Sequence, residues 1–331
     1  MEDWNPGRLL KLSGGYWGTC ALHAGVKLDL FTKIGDRKVR AKELAGELGA
    51  DARGLGMLLN ALAALELIKK SGEAYENVSG AKEFLAKDSP DYIGYLIMHH
   101  HYLMDSWVDL ARAVKDGGPI RDRAPDSPEG AARREAFLMG MFNSAMNFAP
   151  MIVPKLDLSG KRSLLDMGGG PGTYAIMFCR RYPELRATVF DLPTTRPFAE
   201  KTIERFGLSD RVRFLPGDYI KDEIEGKYDA AWLSHILHAE GPGGCREIIR
   251  KAVAALNPGG LIMVHDFFLR DTMDGPPFPA LFALNMLLGT DAGQAYSEGQ
   301  VREMLADAGV RDIRRVPVST PNDSGVLAGV K

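Results

Sequence analysis

Short apolar runs alternate with helix-like segments through the second half of the chain. Five of these runs are predicted strands, because each has the length of a buried strand and ends in polar or turn-forming residues: 163–167, 187–190, 212–215, 228–233 and 261–264. Two further strands, near Val316 and at 326–330, are close enough in sequence to form an antiparallel hairpin. The pattern therefore predicts an α/β fold with a doubly wound sheet that ends in an antiparallel hairpin.

The first half has a mostly helical pattern. Apolar positions at helical spacing predict helices over 8–31, 39–49, 52–67, 92–114 and 131–146. Asp51 can cap the third of these helices, residues 68–78 predict a hairpin, and 121–130 predict a polar loop. Helix, helix and hairpin follow one another as in a winged helix. Because Pro150 and Pro154 predict a linker, we expect a winged-helix-like domain over 1–155 and a second domain over 156–331.

A glycine-rich turn follows the first strand of the second half. A dinucleotide fingerprint requires a third glycine three residues after the second, but Gly170 is followed at that distance by Thr173. The segment Asp166-x-Gly168-x-Gly170-x-Gly172 resembles instead the first motif of class I methyltransferases that use S-adenosylmethionine. Free N–H groups at the following helix suit the anionic end of a ligand, and the structural alternative is an ordinary strand-to-helix turn.

Each of the next two predicted strands ends near an acid. Asp191 lies about 20 positions after the glycine turn, where a carboxylate can chelate the two ribose hydroxyls of a nucleoside. Asp218 and Tyr219 follow the third strand, where an acid can accept from an adenine amino group and a ring can lie on the base. The alternative explanation of Asp218 is a turn residue after Gly217.

Composition and charge argue against several other functions. The 331 residues carry a net charge of −2, so no global basic field attracts nucleic acid or an acidic membrane surface. The helix that would contact DNA has an apolar face on which only Arg53 and Asn60 suit that role, and we expect no nucleic-acid partner. No apolar run predicts a membrane span or a signal peptide, and we therefore expect a cytoplasmic protein without a membrane partner.

Neither the cysteines nor a run of histidines indicates a metal. Cys20, Cys179 and Cys245 are far apart and odd in number, which favours reduced thiols over a disulfide framework or a metal site. The histidines at 99–101 are consecutive in a predicted helix, where neighbouring side chains point about 100° apart and cannot share one ion. One of them could face a substrate pocket. We predict no metal.

Several motifs together identify a family. They are Leu165–Gly172, Phe190–Pro193, Gly217-Asp218, Leu237-His238 and Asn257–Gly260, with Met104–Leu110 and Phe137–Met141 in the first half. In this order, and over nearly the full length, they resemble the dimeric S-adenosylmethionine-dependent O-methyltransferases that act on small phenolic molecules. The resemblance implies S-adenosylmethionine as cofactor, S-adenosylhomocysteine as product and a homodimer built through the N-terminal domain. It also implies methyl transfer to a hydroxyl of a small aromatic acceptor, such as a phenol, a quinol or a polyketide.

The residues alone leave His235, His238 and His265 open as the proton acceptor, since an imidazole titrates near neutrality. The resemblance implies His238 as the general base, because it occupies the Leu-His position, and Asp266 as the acid that orients it. The predicted cofactor residues are Asp166, Gly168, Gly170, Gly172, Asp191, Leu192, Gly217, Asp218, Tyr219, Ser234 and Met141. The predicted walls of the acceptor pocket are Trp107, Phe137, Phe282 and Met286, to which Met141 could also belong.

The chain departs from the family pattern on both sides of this site. Ala239-Glu240 follow His238 where the family has Asp-Trp, and Ala295-Tyr296 stand where the plant enzymes carry a second supporting acid. Transfer to carbon or nitrogen, which needs less help from a base, is therefore an alternative to O-methylation. Non-methylating reactions on the same fold, such as decarboxylation, hydroxylation or a pericyclic step, are a further alternative.

Overall fold

The computed structural model describes residues 3–121 and 127–331. Contacts divide the chain into two compact units, Met1–Leu103 with Pro128–Asn143, and Met104–Ser127 with Ser144–Lys331. The domain boundary predicted between residues 155 and 156 stays a prediction. Within the predicted polar loop 121–130, residues 122–126 lie outside the described residues.

Helices and a hairpin in the predicted order form the first unit. Its helices α1 to α6 are Pro6–Ser13, Tyr16–Lys27, Leu30–Ile34, Ala41–Leu48, Ala52–Ala64 and Ser79–Leu85. Strands β1 (Val39–Arg40), β2 (Ile68–Ser71) and β3 (Ala74–Asn77) form an antiparallel sheet in the order β1-β3-β2. Asp51 caps α5 by accepting from Gly54 N at 2.8 Å, which confirms the predicted cap. The apolar faces of α2 to α6 and of the three strands pack into one core, to which α1 contributes no buried residue.

The helical signals over 8–31 correspond to more than one helix. The segment consists of three helices, because Gly14 and Gly15 separate the first two and Asp29, with a φ of 57°, separates the last two. Glycine is a poor residue for a helix interior, and a left-handed residue cannot continue a right-handed helix. The helical region predicted over 92–114 likewise contains two helices, α7 (Gly94–Val108) and α8 (Leu110–Asp116).

The linker predicted from Pro150 is wrong. Helix α9 (Pro128–Ile152) continues past the predicted end at residue 146 and contains Pro150 in its last turn. A proline so close to a helix end removes few hydrogen bonds, and a helix of 25 residues tolerates it. Pro154 then lies in a 3₁₀ turn, Val153–Lys155, that directly continues this helix.

The second unit contains a seven-stranded sheet. Its strands β4 to β10 are Ser163–Met167, Arg186–Asp191, Val212–Pro216, Tyr228–Ser234, Leu256–Phe267, Arg311–Val316 and Ser324–Val330. The order is β6-β5-β4-β7-β8-β10-β9, with β4 to β8 parallel and β10 antiparallel to both neighbours. Helices α10 to α14 are Thr173–Arg181, Arg196–Arg205, Pro242–Ala255, Pro277–Gly289 and Glu298–Asp307. The predicted doubly wound sheet with an antiparallel terminal hairpin is confirmed.

The chain reverses its direction of travel across this sheet at β4. It moves outward from β4 to β5 and β6 and then returns to β7 on the other side of β4. Such a reversal leaves a crevice at the carboxyl ends of the parallel strands, where ligands bind in open α/β sheets. Trp232 of β7 is fully buried under one face of the sheet and packs edge-on against Phe178 of α10. This contact packs α10 against β7.

One helical stretch meets the length and composition of a membrane span. It covers Pro128–Lys155, and 44% of its most apolar window is buried inside the structure. This finding contradicts the expectation that no apolar run is long enough to span a membrane. It is weak evidence for a membrane, because the core helix of a globular protein passes the same test.

Candidate active site

The glycine turn begins where β4 ends and leads into α10. Gly168, Gly170 and Gly172 have φ values of 67°, 54° and 78°, in the left-handed region that favours glycine. A Cβ atom at Gly168 would lie 2.5 Å from Cγ2 of Ile236, so there is no room for a side chain. At Gly170, a Cβ atom would have no atom of the described residues within 4 Å. The turn therefore lets a ligand approach its backbone closely.

Asp166 lies directly before this turn and is buried. Its Oδ2 accepts from Ala175 N at 3.1 Å, whereas its Oδ1 and the Thr173 hydroxyl have no hydrogen-bond partner among the described residues. Burial raises the pKa of Asp166 to about 7, with the Ala175 hydrogen bond opposing that effect and the Asp191 charge adding to it. Buried polar atoms without a partner are groups that a bound ligand can satisfy.

Asp191, at the end of β5, is in direct contact with the glycine turn. Its Oδ2 accepts from Gly170 N at 2.8 Å, and its Oδ1 accepts from Leu192 N at 2.7 Å and from Thr195 Oγ1 at 3.0 Å. Burial raises the pKa of Asp191, and these hydrogen bonds partly offset the effect. The side chain of Leu192 is exposed beside it. The two parts of the predicted nucleoside site are thus joined by a hydrogen bond.

The loop after β6 carries Asp218 and Tyr219. A Cβ atom at Gly217 would lie 2.3 Å from the Phe190 ring, so glycine lets this loop pack closely on β5. Burial alone would raise the pKa of Asp218, but hydrogen bonds from Lys221 and from nearby backbone N–H groups lower it below its usual value. Burial raises the pKa of Tyr219, whose hydroxyl therefore stays neutral. An ionised acid and a neutral ring stand side by side on the loop.

Lys251 of α12 holds this loop, although no motif indicates it. Its side chain is buried, and its Nζ donates to three carbonyl oxygens: Ile220 at 2.7 Å, Asp222 at 2.9 Å and Tyr219 at 3.3 Å. A buried ammonium is costly unless its three donors are satisfied, and these carbonyls satisfy them. The one signal in the sequence is a lysine on the apolar, buried face of α12.

His238 and Asp266 meet at the carboxyl ends of β7 and β8. His238 Nδ1 lies 2.7 Å from Asp266 Oδ1, and the His238 N–H donates to Asp266 Oδ2 at 3.4 Å. Burial alone would raise the pKa of Asp266, but the adjacent imidazoles of His238 and His235 hold it well below its usual range. An ionised Asp266 can only accept a hydrogen bond, so it favours the His238 tautomer with the proton on Nδ1. In that tautomer Nε2 has a lone pair that can accept a proton.

The other two candidate histidines have different surroundings. His265 is fully buried between hydroxyls, with Nδ1 at 2.9 Å from Ser234 Oγ and Nε2 at 3.0 Å from Ser324 Oγ. Burial lowers the pKa of His265 well below its ordinary value, so its imidazole stays neutral. His235 has a left-handed φ of 57°, its Nδ1 lies 3.6 Å from Asp266 Oδ1, and burial lowers its pKa. Of the three histidines, His238 makes the hydrogen bond to the acid.

The same side chains are the one group among the described residues with the spacing of metal ligands. Single donor atoms of His235, His238 and Asp266 lie within 4.8 Å of one another. At about 2.1 Å from a tetrahedral metal, however, two ligand atoms would lie about 3.4 Å apart. The 2.7 Å between His238 Nδ1 and Asp266 Oδ1 is a hydrogen-bond distance. This pair has the geometry of an imidazole oriented by a carboxylate.

Aromatic rings surround His238. The ring of Phe282, on α13, is edge-on to the His238 ring with 4.7 Å between centroids, and Phe267 is stacked with it at 6.0 Å. Phe278 continues the cluster at 4.9 Å from Phe267, and Met286 is buried one turn beyond Phe282. The structure thus brings the predicted base, its acid and one predicted pocket wall together beside apolar rings that suit a flat acceptor.

The remaining predicted pocket residues are described by their own surroundings. Trp107 is half-buried near the end of α7. Phe137 and Met141 belong to the first unit, where the Phe137 ring lies 5.3 Å from that of His99. Their assignment to the acceptor pocket, and that of Met141 to the cofactor, stays a prediction.

The fold and the site together define a class of protein. The chain reverses its direction across the sheet at β4, a glycine turn follows β4, and an acid ends β5. This combination forms the nucleoside crevice of class I methyltransferases that use S-adenosylmethionine. The buried atoms left unsatisfied at Asp166 and Thr173 fit such a cofactor, whose amino acid part carries both donors and acceptors.

Comparisons with known proteins give the family. The family model of the O-methyltransferase domain matches residues 108–311, and that of the O-methyltransferase dimerisation domain matches residues 10–87. The chain belongs to the O-methyltransferase family and is an S-adenosylmethionine-dependent methyltransferase.

Relatives match over nearly the whole chain. The 3-hydroxy-5-methyl-1-naphthoate 3-O-methyltransferase of Streptomyces sahachiroi is 33% identical over 98% of this chain and 95% of that protein. The tetracenomycin polyketide synthesis 8-O-methyl transferase TcmO of Streptomyces glaucescens is 33% identical over 96% of this chain and 95% of that protein. Among solved structures, PigF of Serratia with SAH superposes on this chain with a TM-score of 0.89. The two chains are 26% identical, and the match covers 99% of this chain and all of PigF.

We predict that Lys251→Met raises the KM for S-adenosylmethionine about tenfold while kcat at saturating cofactor is nearly kept, because the loop loses a charged donor that orients it. Calorimetry should also show that the variant discriminates less between S-adenosylhomocysteine and S-inosylhomocysteine, which lacks the adenine amino group. Lys227→Met is the matched control, since Nζ of this exposed lysine donates to a single carbonyl, Ala254, at 2.7 Å. A folded Lys251→Met protein with unchanged affinity and discrimination would contradict the prediction.

Proposed function

We propose that the protein transfers the methyl group of S-adenosylmethionine to a hydroxyl of a small aromatic molecule, with His238 as general base oriented by Asp266. The observation that supports this proposal is the 2.7 Å contact between His238 Nδ1 and Asp266 Oδ1 beside a cluster of aromatic rings. A hydroxyl acceptor needs its proton removed, whereas an acceptor that is already nucleophilic does not.

Asp191 is proposed to bind the ribose hydroxyls, Asp218 the adenine amino group and Tyr219 the face of the base. A carboxylate has about four lone-pair positions, and Asp191 uses three of them in its hydrogen bonds, which leaves acceptor capacity for a hydroxyl. The other proposed cofactor residues are Asp166, Gly168, Gly170, Gly172, Leu192, Gly217, Ser234 and Met141. When bound, the cofactor supplies a methyl group activated by a sulfonium leaving group.

His238 then controls the proton of the acceptor. Its Nε2 would accept the proton of an acceptor hydroxyl held beside it, which would leave the oxygen free to receive the methyl group that the bound cofactor would supply. The imidazolium that results is stabilised by the ionised Asp266 beside Nδ1. The Phe282 and Phe267 rings exclude water from this proton transfer and provide flat surfaces for the acceptor ring.

Two observations favour an aromatic acceptor: the names of the relatives and the aromatic rings beside His238. Relatives that align over almost the whole chain are named for a naphthoate and for a tetracenomycin polyketide. We propose a fused or substituted phenolic acceptor of that general size, walled by Trp107, Phe137, Phe282 and Met286.

We further propose that two copies of the chain form a homodimer through the first unit. Leu10, Leu12 and Trp17 of α1 and α2 are each at least 70% exposed, an arrangement that a soluble surface rarely maintains without a partner. A second copy would cover this apolar surface and complete the acceptor pocket of its neighbour.

Asp191→Ala should weaken S-adenosylmethionine binding about 10- to 100-fold, because hydrogen bonds to a charged group contribute about 1.5–3 kcal/mol. Calorimetry checks this value. Asp210→Ala is the control, because Asp210 is exposed near the amino end of β6, away from the crevice. Equal affinities of the two variants would argue against Asp191 as the ribose ligand.

His238→Ala should lower kcat for a phenolic acceptor about 100- to 10,000-fold with nearly unchanged cofactor affinity, because the proton loses its acceptor. Asp266→Asn should lower kcat in the same assay. A nitro-substituted phenol, which is already ionised at neutral pH, should restore much of the rate in His238→Ala. Loss of rate that does not depend on the acidity of the acceptor would contradict the role of a base.

Trp17→Glu should convert a dimer into a monomer in light scattering after size exclusion, because it places a charge on the apolar surface of α2. Lys42→Glu, an exposed change on α4, should remain dimeric. A monomeric wild-type protein would rule out the proposed assembly.

A further inference from the structure

Arg121 is a half-buried arginine that no carboxylate of the described residues neutralises. Its Nη2 donates to Asn285 Oδ1 at 2.7 Å, and its Nε donates to Ser106 Oγ at 3.2 Å. Both partners are neutral, and both are buried. Arg302 and Arg315 of the same unit each pair with Glu298. A charge withdrawn from water is costly unless it is paired, and among the described residues this half-buried guanidinium has no counter-ion.

The surrounding structure holds this guanidinium in place. The backbone N–H groups of Ile120 and Arg121 donate to Leu288 O at 3.2 and 3.0 Å, which ties the end of the α8 segment to α13. A Cβ atom at Gly289 would lie 2.5 Å from Nη1 of Arg121, so the absence of a side chain there lets the arginine lie against the helix. Two side-chain hydrogen bonds and two backbone hydrogen bonds make Arg121 a rigid donor.

Arg121 lies on the face of α13 that also meets the proposed base. At about 100° per residue, Phe278, Phe282, Asn285 and Gly289 fall within one arc of roughly 60° around the helix. Phe282 contacts the His238 ring, and Gly289 lies about 10 Å further along the axis, at about 1.5 Å per residue. The guanidinium and the imidazole thus contact the same face of α13, Arg121 at Asn285 and Gly289 and His238 at Phe282, about one to two turns apart.

We propose that Arg121, held by Asn285 and Ser106, is a specificity-determining residue that binds a carboxylate of the aromatic acceptor, at the end of the acceptor opposite the hydroxyl that is methylated. The inference rests on the proposed function, because it takes His238 as the place of that hydroxyl. Of the five N–H donors of a guanidinium, two are used, which leaves three for a carboxylate. A neutral substituent at this position would leave the cation without a counter-ion, and the site therefore selects acidic acceptors.

The test compares 6-hydroxy-2-naphthoic acid with 6-hydroxy-2-naphthamide, which differ in charge but hardly in shape. Calorimetry on the full-length protein saturated with S-adenosylhomocysteine should show that wild type binds the acid at least about tenfold more tightly than the amide. Arg121→Gln should lose this preference through weaker binding of the acid alone, and Arg121→Lys should keep part of it. Arg112→Gln, an exposed change on α8, should behave like wild type.

Equal affinities of wild type for the two probes, or an unchanged preference in folded Arg121→Gln, overturn the inference. Ser106→Ala removes only the Nε acceptor and should reduce the preference, so it replaces Arg121→Gln if that variant does not fold. Methylation assays with the same probes separate the two proposals. An Arg121-dependent preference in binding without methylation of either probe supports the anion site and rejects the proposed function. Equal binding and equal methylation of both probes support the function and reject the anion site.

Discussion

The register between β7 and β8 determines which groups meet at the active site. Ser234 pairs with His265, and His235 N donates to His265 O at 2.8 Å where the two strands end. Side chains alternate between the faces of a strand, so a shift by one residue would exchange the places of His265 and Asp266. The imidazole would then stand where the carboxylate now accepts from His238, and the carboxylate would lie among hydroxyls. The contact between His238 and Asp266 therefore depends on this one strand register.

Burial has opposite consequences for the ionisable groups at this edge of the sheet. His265 is neutral because burial disfavours its charged form and its hydroxyl partners supply no charge. Asp266 is equally buried yet ionised, because two imidazoles lie beside it. Lys251 is satisfied by backbone carbonyls. His238 is thus an imidazole with a hydrogen bond to an ionised carboxylate, whereas the ring nitrogens of His265 lie beside hydroxyls.

The hydrophobic and turn patterns of short segments predicted those parts of the fold that interactions within short segments determine. The strands, the terminal hairpin and the glycine turn depend on hydrophobic period and on backbone conformation, and both are visible in short segments. The choice of His238 over His235 and His265 required the family resemblance, because all three follow strands in similar sequence context. The contacts of Lys251 and Arg121 could not be predicted from the sequence because their partners are distant along the chain. Lys251 bonds to Ile220, 31 positions away, and Arg121 to Asn285, 164 positions away. Pairs at such separations carry no periodic signal.

The acid that the plant enzymes carry near Ala295 is absent, and contacts to the backbone suggest how the site functions without it. Among the described residues, Asp266 is the carboxylate that hydrogen-bonds to His238. The turn that carries His238 is held from its other side, since Cys245 Sγ donates to Leu237 O at 3.1 Å and Tyr296 OH donates to Glu240 O at 2.6 Å. Orientation of the imidazole requires one acceptor at Nδ1 and a fixed backbone, and both are present. Under the proposed function, the absence of a second supporting acid would matter least for acceptors whose hydroxyl ionises easily.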